Sequence, residues 1–284
     1  MKPIADYTIR TMSRPEIDLA VDWAAAEGWN PGLEDAECFY HADQEGFLVG
    51  LVGNEPVATI SVVRYGNSFA FLGFYIVKPE WRGKGLGLRI WNAGLERLAG
   101  RTVGLDGVAA QQKNYRKSGF ALAYRNIRFM GAAAENAESY PGIVPLTEIP
   151  FATLLAYDRP FFPADRNAFL QCWTSRTGSK AFGALHDGAL TGYGLIRPCR
   201  SGFKIGPLFA DNPDVAEALF KTLIGSVPAG SPIFLDIPEV NPEALQLTQR
   251  HGMTVVFETA RMYKGEAPDL PVERIYGVTT FELG

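Results

Sequence analysis

The tightest constraint on this chain is that it repeats itself. "SGFALAYRNIRFMG" (118–131) and "HGMTVVFETARMYKG" (251–265) share a glycine and an arginine at one spacing, Gly119 to Gly252 and Arg128 to Arg261, each 133 positions apart. Two matches at one offset, inside a repeated order of elements, point to duplication. The first half opens with "RPEIDLAVDWAAAEGW" (14–29), where Ile17, Ala20, Val21, Ala24 and Ala25 predict one helix face, stopped by "NPG". "GFLVGLVGNEPVATISVVRYG" predicts two strands around Gly53-Asn54-Glu55, with Pro56 at the return, and "SFAFLGFYIV" a third, forming an antiparallel meander. Leu86, Ile90, Leu95 and Leu98 mark a helix closed by Gly100, followed by the strand "TVGLDGV" (102–108), a short helix in "QQKNYRKSG" and the strand "FALAYRNIRFMG".

The second half runs through the same list. Helical "PADRNAFLQCWTSR" precedes two strands around Asp187-Gly188, the strand "GFKIGPLFA", the helix "PDVAEALFKTLIG", and "SPIFLDIPEVN" as the counterpart of "RTVGLDGVAAQ". Between the halves, "AAAENAESYPG" (132–142) is small and polar without amphipathic period, which marks a linker. The expected organisation is an α/β (α+β) chain with domains at 1–135 and 151–284 joined by 136–150. The tail "PVERIYGVTTFELG" reads as strand-like, pairing within the second sheet or across the boundary.

The halves differ most visibly at one loop. After "FAFLGFYIV" the first carries "KPEWRGKGLG", in which Gly83, Gly85 and Gly87 alternate with cations at the start of a helix. Unpaired amides and the positive end of the helix dipole collect there, so Gly83, Gly85 and Gly87 read as a pyrophosphate cradle, with Arg82 and Lys84 adding charge. A Walker A loop fails because Lys84 is followed by Gly85 and has no glycine five positions before it. A dinucleotide loop fails because position 88 is Leu and the preceding strands form a meander rather than a parallel sheet. The second half has Asp211 and Asp214 at the equivalent helix start, suited to capping and repulsive to phosphate.

The stretch Arg82 to Gly87 fits R-x-x-G-x-G and resembles the acyl-CoA loop of the GNAT N-acyltransferase superfamily, and "YRKSGF" (115–120) is similar to that family's Y-x-x-x-G-F signature. "EGWNPG", "NYRKSGF" and "RNIRFMG" resemble a narrower group with a second, degenerate GNAT-like domain. The resemblance implies two mixed, mostly antiparallel twisted sheets flanked by helices, in which two neighbouring parallel strands splay apart, here "FLGFYIV" and "TVGLD". It implies acetyl-CoA as acyl donor, its pantetheine pairing with the backbone of Tyr75, Ile76 and Val77 and its pyrophosphate with Gly83, Lys84, Gly85, Leu86, Gly87 and Leu88.

An alkylamine must lose a proton before it attacks a thioester, at a cost of about 4.6 kcal/mol at pH 7. Many family members place a glutamate on the splayed strand for this, and "FLGFYIV" has no carboxylate. Glu27, Asp35 and Asp106 remain as candidate bases. Asp158, within "YDRPFFPADRNAFLQCW", is a candidate contact for a cationic acceptor. Tyr115 stands where the family keeps the phenol that protonates the departing thiolate; phenol and thiol lie close in pKa, about 10 and about 8.5. In the second half the matching position is Thr248, so that copy is expected to bind no acyl-CoA. Trp81, Phe69, Phe71 and Tyr75 read as packing residues, the last three alternating on one strand face.

The implied activity is transfer of acetyl from acetyl-CoA to a small-molecule amine by direct attack, with a noncatalytic acyl-CoA-binding module or a protein N-acetyltransferase as alternatives. The net charge of -4 argues against nucleic acid. No apolar run approaches the roughly 20 residues that span a bilayer. Cys38, Cys172 and Cys199 read as reduced thiols of a cytoplasmic protein, and His41, His186 and His251 have no metal-ligand spacing. The sequence leaves room for a homodimer.

Overall fold

A computed structural model describes residues 6–134 and 140–284. The first half runs β1 (Tyr7–Thr11), α1 (Arg14–Ala26), α2 (Asp35–Ala42), β2 (Phe47–Val52), β3 (Glu55–Tyr65), β4 (Phe69–Val77), α3 (Leu86–Arg97), β5 (Thr102–Val108), α4 (Gln112–Lys117) and β6 (Ala121–Ala132). The second runs β7 (Ile143–Pro145), α5 (Phe151–Asp158), α6 (Asn167–Ser175), β8 (Lys180–His186), β9 (Ala189–Pro198), β10 (Phe203–Ala210), α7 (Pro213–Gly225), β11 (Pro232–Pro238), α8 (Pro242–Arg250), β12 (Thr254–Lys264) and β13 (Ile275–Gly277). Part of the expected linker, 136–139, lies outside the described residues. Its later portion is not a loop, because Ile143 and Val144 add β7 to the edge of β8.

The strands form one mixed sheet in the order β1-β2-β3-β4-β5-β12-β6-β11-β10-β9-β8-β7, with β13 attached to β10. The centre of that order shows an exchange: β12, from the second half, pairs with β5, and β6, from the first, pairs with β11. The repeated arginines therefore each face the other half's aspartate. Arg128 stands opposite Asp236 and holds it with Nε and Nη2 at 2.6 and 2.7 Å. Arg261 stands opposite Asp106 at 2.9 and 2.7 Å. Burial pushes the Asp236 carboxyl up, but Arg128 and Lys204 more than offset it and hold it below its ordinary value.

Other bonds tie the halves together. Asp35 is fully buried on α2 and accepts from Arg176 and Arg197 of the second half; burial raises its carboxyl, and these arginines bring it below the usual range. Cys38 of α2 and Cys172 of α6 form a disulfide. The expectation of three reduced thiols is thus corrected: 134 positions of separation concealed a Cα–Cα distance of 5.3 Å created by packing α2 on α6. Cys199 is free and buried. Among the described residues no helix is long and apolar enough to cross a membrane.

Two features of the sheet create a slot. β4 and β5 pair in parallel from Phe69↔Thr102 to Leu72↔Leu105, and beyond that point β4 continues to Val77 and β5 to Val108 without pairing. β4 also bulges against β3, where the register shifts between Thr59↔Ile76 and Ser61↔Gly73, and Phe74 adopts φ +46°. The extra residue reverses the alternation. Phe69 and Phe71 pack into the core beneath α1 with Phe74 and Ile76, while Tyr75 and Val77 fall on the α3 side, so Tyr75 does not share a face with the two phenylalanines as its spacing suggested.

The second half repeats the splay and fills it. β10 and β11 pair in parallel only from Phe203↔Ile233 to Ile205↔Leu235. Past that point the tail enters as β13, with Leu208↔Gly277 and Phe209↔Ile275 on one side and the Val278 amide donating to the Asp236 carbonyl at 2.8 Å on the other. The backbone groups that the first slot leaves open are satisfied here by the chain itself.

Candidate active site

The open slot between β4 and β5 is the floor of a cleft of about 530 Å³. One end is built by β4 and the start of α3. Gly85 caps that helix at φ +82°, a left-handed conformation that a side chain strains, and the first helical amide to find an acceptor is that of Arg89, to the Gly85 carbonyl at 3.2 Å. The amides before it belong to the first turn, whose N–H groups have no intrahelical acceptor. Arg82, Gly83, Gly85, Gly87 and Leu88 line the cleft, as do Tyr75, Ile76 and Val77 along the strand. Arg82 is positioned by its Nε bond to the Val77 carbonyl at 2.8 Å and by an ion pair with Glu27. The Lys84 ammonium instead lies over the Trp81 ring at 4.4 Å, and Leu86 is buried beside Tyr7 and Val57. Neither residue lines the cleft.

Tyr115 lies in the middle, on α4. Its ring stacks on Trp91 at 5.3 Å, and it approaches β5 at Gly107, where a Cβ would stand 2.4 Å from the Tyr115 Cε2. The ring is buried, which raises its pKa well above the phenol value, with Tyr75 adding to the effect. Tyr115 therefore keeps its proton at neutral pH and can act as a donor.

The candidate carboxylates separate clearly. Asp106 lines the cleft, but its side chain is 0% exposed and is held by Arg261 and by Asn126 Nδ2 at 2.8 Å, so its backbone is what the cleft meets. Glu27 lines the cleft and is committed to Arg82. Asp35 lies outside it, locked among Arg176, Arg197 and the Gly32 amide. Asp158 is also elsewhere: it is buried against Arg166 at 2.6 and 2.8 Å and accepts from the Tyr193 hydroxyl, so the expectation of an acceptor contact is corrected. Both are structural ion pairs: the arginines of Asp35 come from the second half, whereas Arg166 stands eight positions from Asp158 in the same quoted stretch.

The far end of the cleft was missed. Trp29, Phe257, Thr259, Phe281 and Glu282 line it, three of them aromatic and four of them from the second half. Arg128 organises this end, donating to the Trp29 carbonyl at 2.7 Å and lying 4.9 Å from the Phe281 ring centre and 5.6 Å from that of Phe257. Trp29 sits inside the quoted "EGWNPG". The others reach the cleft only through the exchange of β12 and the return of the tail, which no local pattern reveals.

Comparison with known proteins agrees with this division. Residues 14–120 match the profile of the acetyltransferase (GNAT) family and residues 154–277 that of an acetyltransferase (GNAT) domain. The holothin acyltransferase of Pseudoalteromonas sp. (strain SANK 73390) is 34% identical over 278 residues, covering 98% of this chain and 95% of that protein. A crystal structure from Pyrococcus horikoshii, described as that of a proposed acetyltransferase, superposes with a TM-score of 0.83 at 26% identity, covering 99% of this chain and 96% of the other. A tandem GNAT protein from the clavulanic acid biosynthesis pathway shares the fold, with a TM-score of 0.64 at 13% identity over 92% of this chain and all of the other.

Proposed function

The chain belongs to the GNAT acyltransferase family, and from that premise we propose that it transfers acetyl from acetyl-CoA to the amine of a small, flat, largely apolar molecule, by direct attack while both are bound. The observation that carries the reading is the contrast between two splays, one open beside an amide-rich helix start and the other filled by β13. Pantetheine would lie along Tyr75, Ile76 and Val77 and the pyrophosphate at residues 83–88, where α3 begins. Tyr115 would protonate the leaving sulfur. The aromatic far end, walled by both halves, suits a small ring-bearing amine better than a peptide terminus, and the name of the holothin acyltransferase supports a small-molecule acceptor. A noncatalytic acyl-CoA module would have no use for a buried phenol beside the slot.

Replacing Gly85 with Val tests the cradle. A branched side chain at φ +82° costs about 1–3 kcal/mol and shifts the amides, so acetyl-CoA affinity is expected to fall roughly tenfold or more by calorimetry, with the melting temperature monitored in parallel. An unchanged dissociation constant in a folded variant would remove the loop from cofactor binding.

A further inference from the structure

Resting on the acyl-transfer reading, the geometry points to Glu282 as the group that takes the proton from the acceptor amine. Three acidic residues line the cleft among the described residues: Glu27, Asp106 and Glu282. The first is paired with Arg82 and the second is enclosed by Arg261 and Asn126. Glu282 is 3% exposed, and its Oε2 is buried with no hydrogen-bond partner. A buried acceptor left unpaired costs about 1–3 kcal/mol, which a donor N–H of a bound amine would relieve.

Its position is built by both halves. β4 carries glycine at residue 73, where a Cβ would stand 2.3 Å from the Glu282 carbonyl oxygen and 3.1 Å from Ser61 Oγ, itself unpartnered. The strand that lacks a carboxylate thus also lacks any side chain where the tail crosses it, and the tail brings a carboxylate to that point. The tail is fixed there. Thr280 Oγ1 accepts from the amides of Glu282 and Leu283 at 2.9 and 3.0 Å, and the Tyr65 hydroxyl donates to the Leu283 carbonyl at 3.2 Å. Arg128 and Lys204 are the cations that feel the Glu282 charge.

In the reaction, Glu282 takes one proton from the ammonium and releases it to solvent. The neutral nitrogen then forms the C–N bond as the C–S bond breaks, and Tyr115 gives its proton to sulfur. The second proton lost from nitrogen restores Tyr115. The products are the amide, the free thiol of CoA and one proton.

Glu282→Gln keeps the shape and removes the base. With acetyl-CoA and benzylamine, which is protonated at neutral pH, kcat/KM is expected to fall about 100-fold. With aniline, which is already neutral, the loss is expected to stay within about threefold, the base step being unnecessary. Acetyl-CoA affinity is expected to hold. Gly73→Ala, which presses on the Glu282 carbonyl and leaves its carboxylate intact, is expected to show the same selectivity against benzylamine. Equal losses on both amines, or none, would overturn the assignment. A wild-type chain that binds acetyl-CoA by calorimetry yet acetylates neither amine counts against Glu282 while leaving the acyl-CoA reading in place. One that binds no acetyl-CoA ends both.

Discussion

Tyr115→Phe is expected to lower kcat by about 10²- to 10⁴-fold with a chemically limiting acceptor, the range set by loss of general acid catalysis. Acetyl-CoA affinity should change little, because the ring packs through its face on Trp91 and through its edge on Gly107, contacts that phenylalanine reproduces. Burial holds the phenol protonated, so the wild-type side chain always has a proton to give. The thiolate that leaves without it must wait for water in a cleft lined largely by apolar groups. A single-turnover rate equal to that of the wild type would sink the role of Tyr115.

The largest stability effect is expected at Arg128. Removing it as Arg128→Met leaves Asp236 buried without its partner, at a cost of about 3–5 kcal/mol in urea unfolding. The double variant Arg128→Met with Asp236→Leu should recover most of that loss, because the penalty belongs to the stranded charge rather than to the missing attraction. Arg128 also supports Trp29 and Phe281, so a folded double variant is expected to bind acetyl-CoA normally and its acceptor poorly. A loss below about 1 kcal/mol in the single variant would show that the pair is not integral to the junction between halves.

These two residues mark how far the sequence could be read. That Tyr115 and the glycine loop come to one cleft could be anticipated because each lies in one continuous segment, Tyr115 with Gly119 and Phe120. Arg128 was legible as a repeated residue but not as half of an ion pair across the repeat. β6 and β12 carry nearly the same pattern, so either could complete either sheet, and side-chain alternation alone cannot tell which one pairs with β5. The bulge at Phe74 is equally silent, since an apolar run buried on both faces shows no break where its parity reverses. The partner of Asp35 arrives from elsewhere, Arg197 lying 162 positions away, whereas Arg166 lies only eight positions from Asp158 and what the sequence does not show is that the two are buried together. Glu282 is the extreme case, brought against the first strand of the slot by a tail whose preceding strand, β13, fills the other slot.

That tail separates the two copies: it fills the splay of the second and leaves that of the first open. In the first half, β4 and β5 stop pairing with each other beyond Leu72 and Leu105; in the second, β13 supplies the pairing. A crystal structure of the acetyl-CoA complex tests this most directly. The expected result is a single CoA per chain, with pantetheine between β4 and β5 beyond Leu72 and Leu105, pyrophosphate at residues 83–88, and β13 undisturbed on β10. Nucleotide bound between β10 and β11, or two CoA molecules on one chain, would contradict the account.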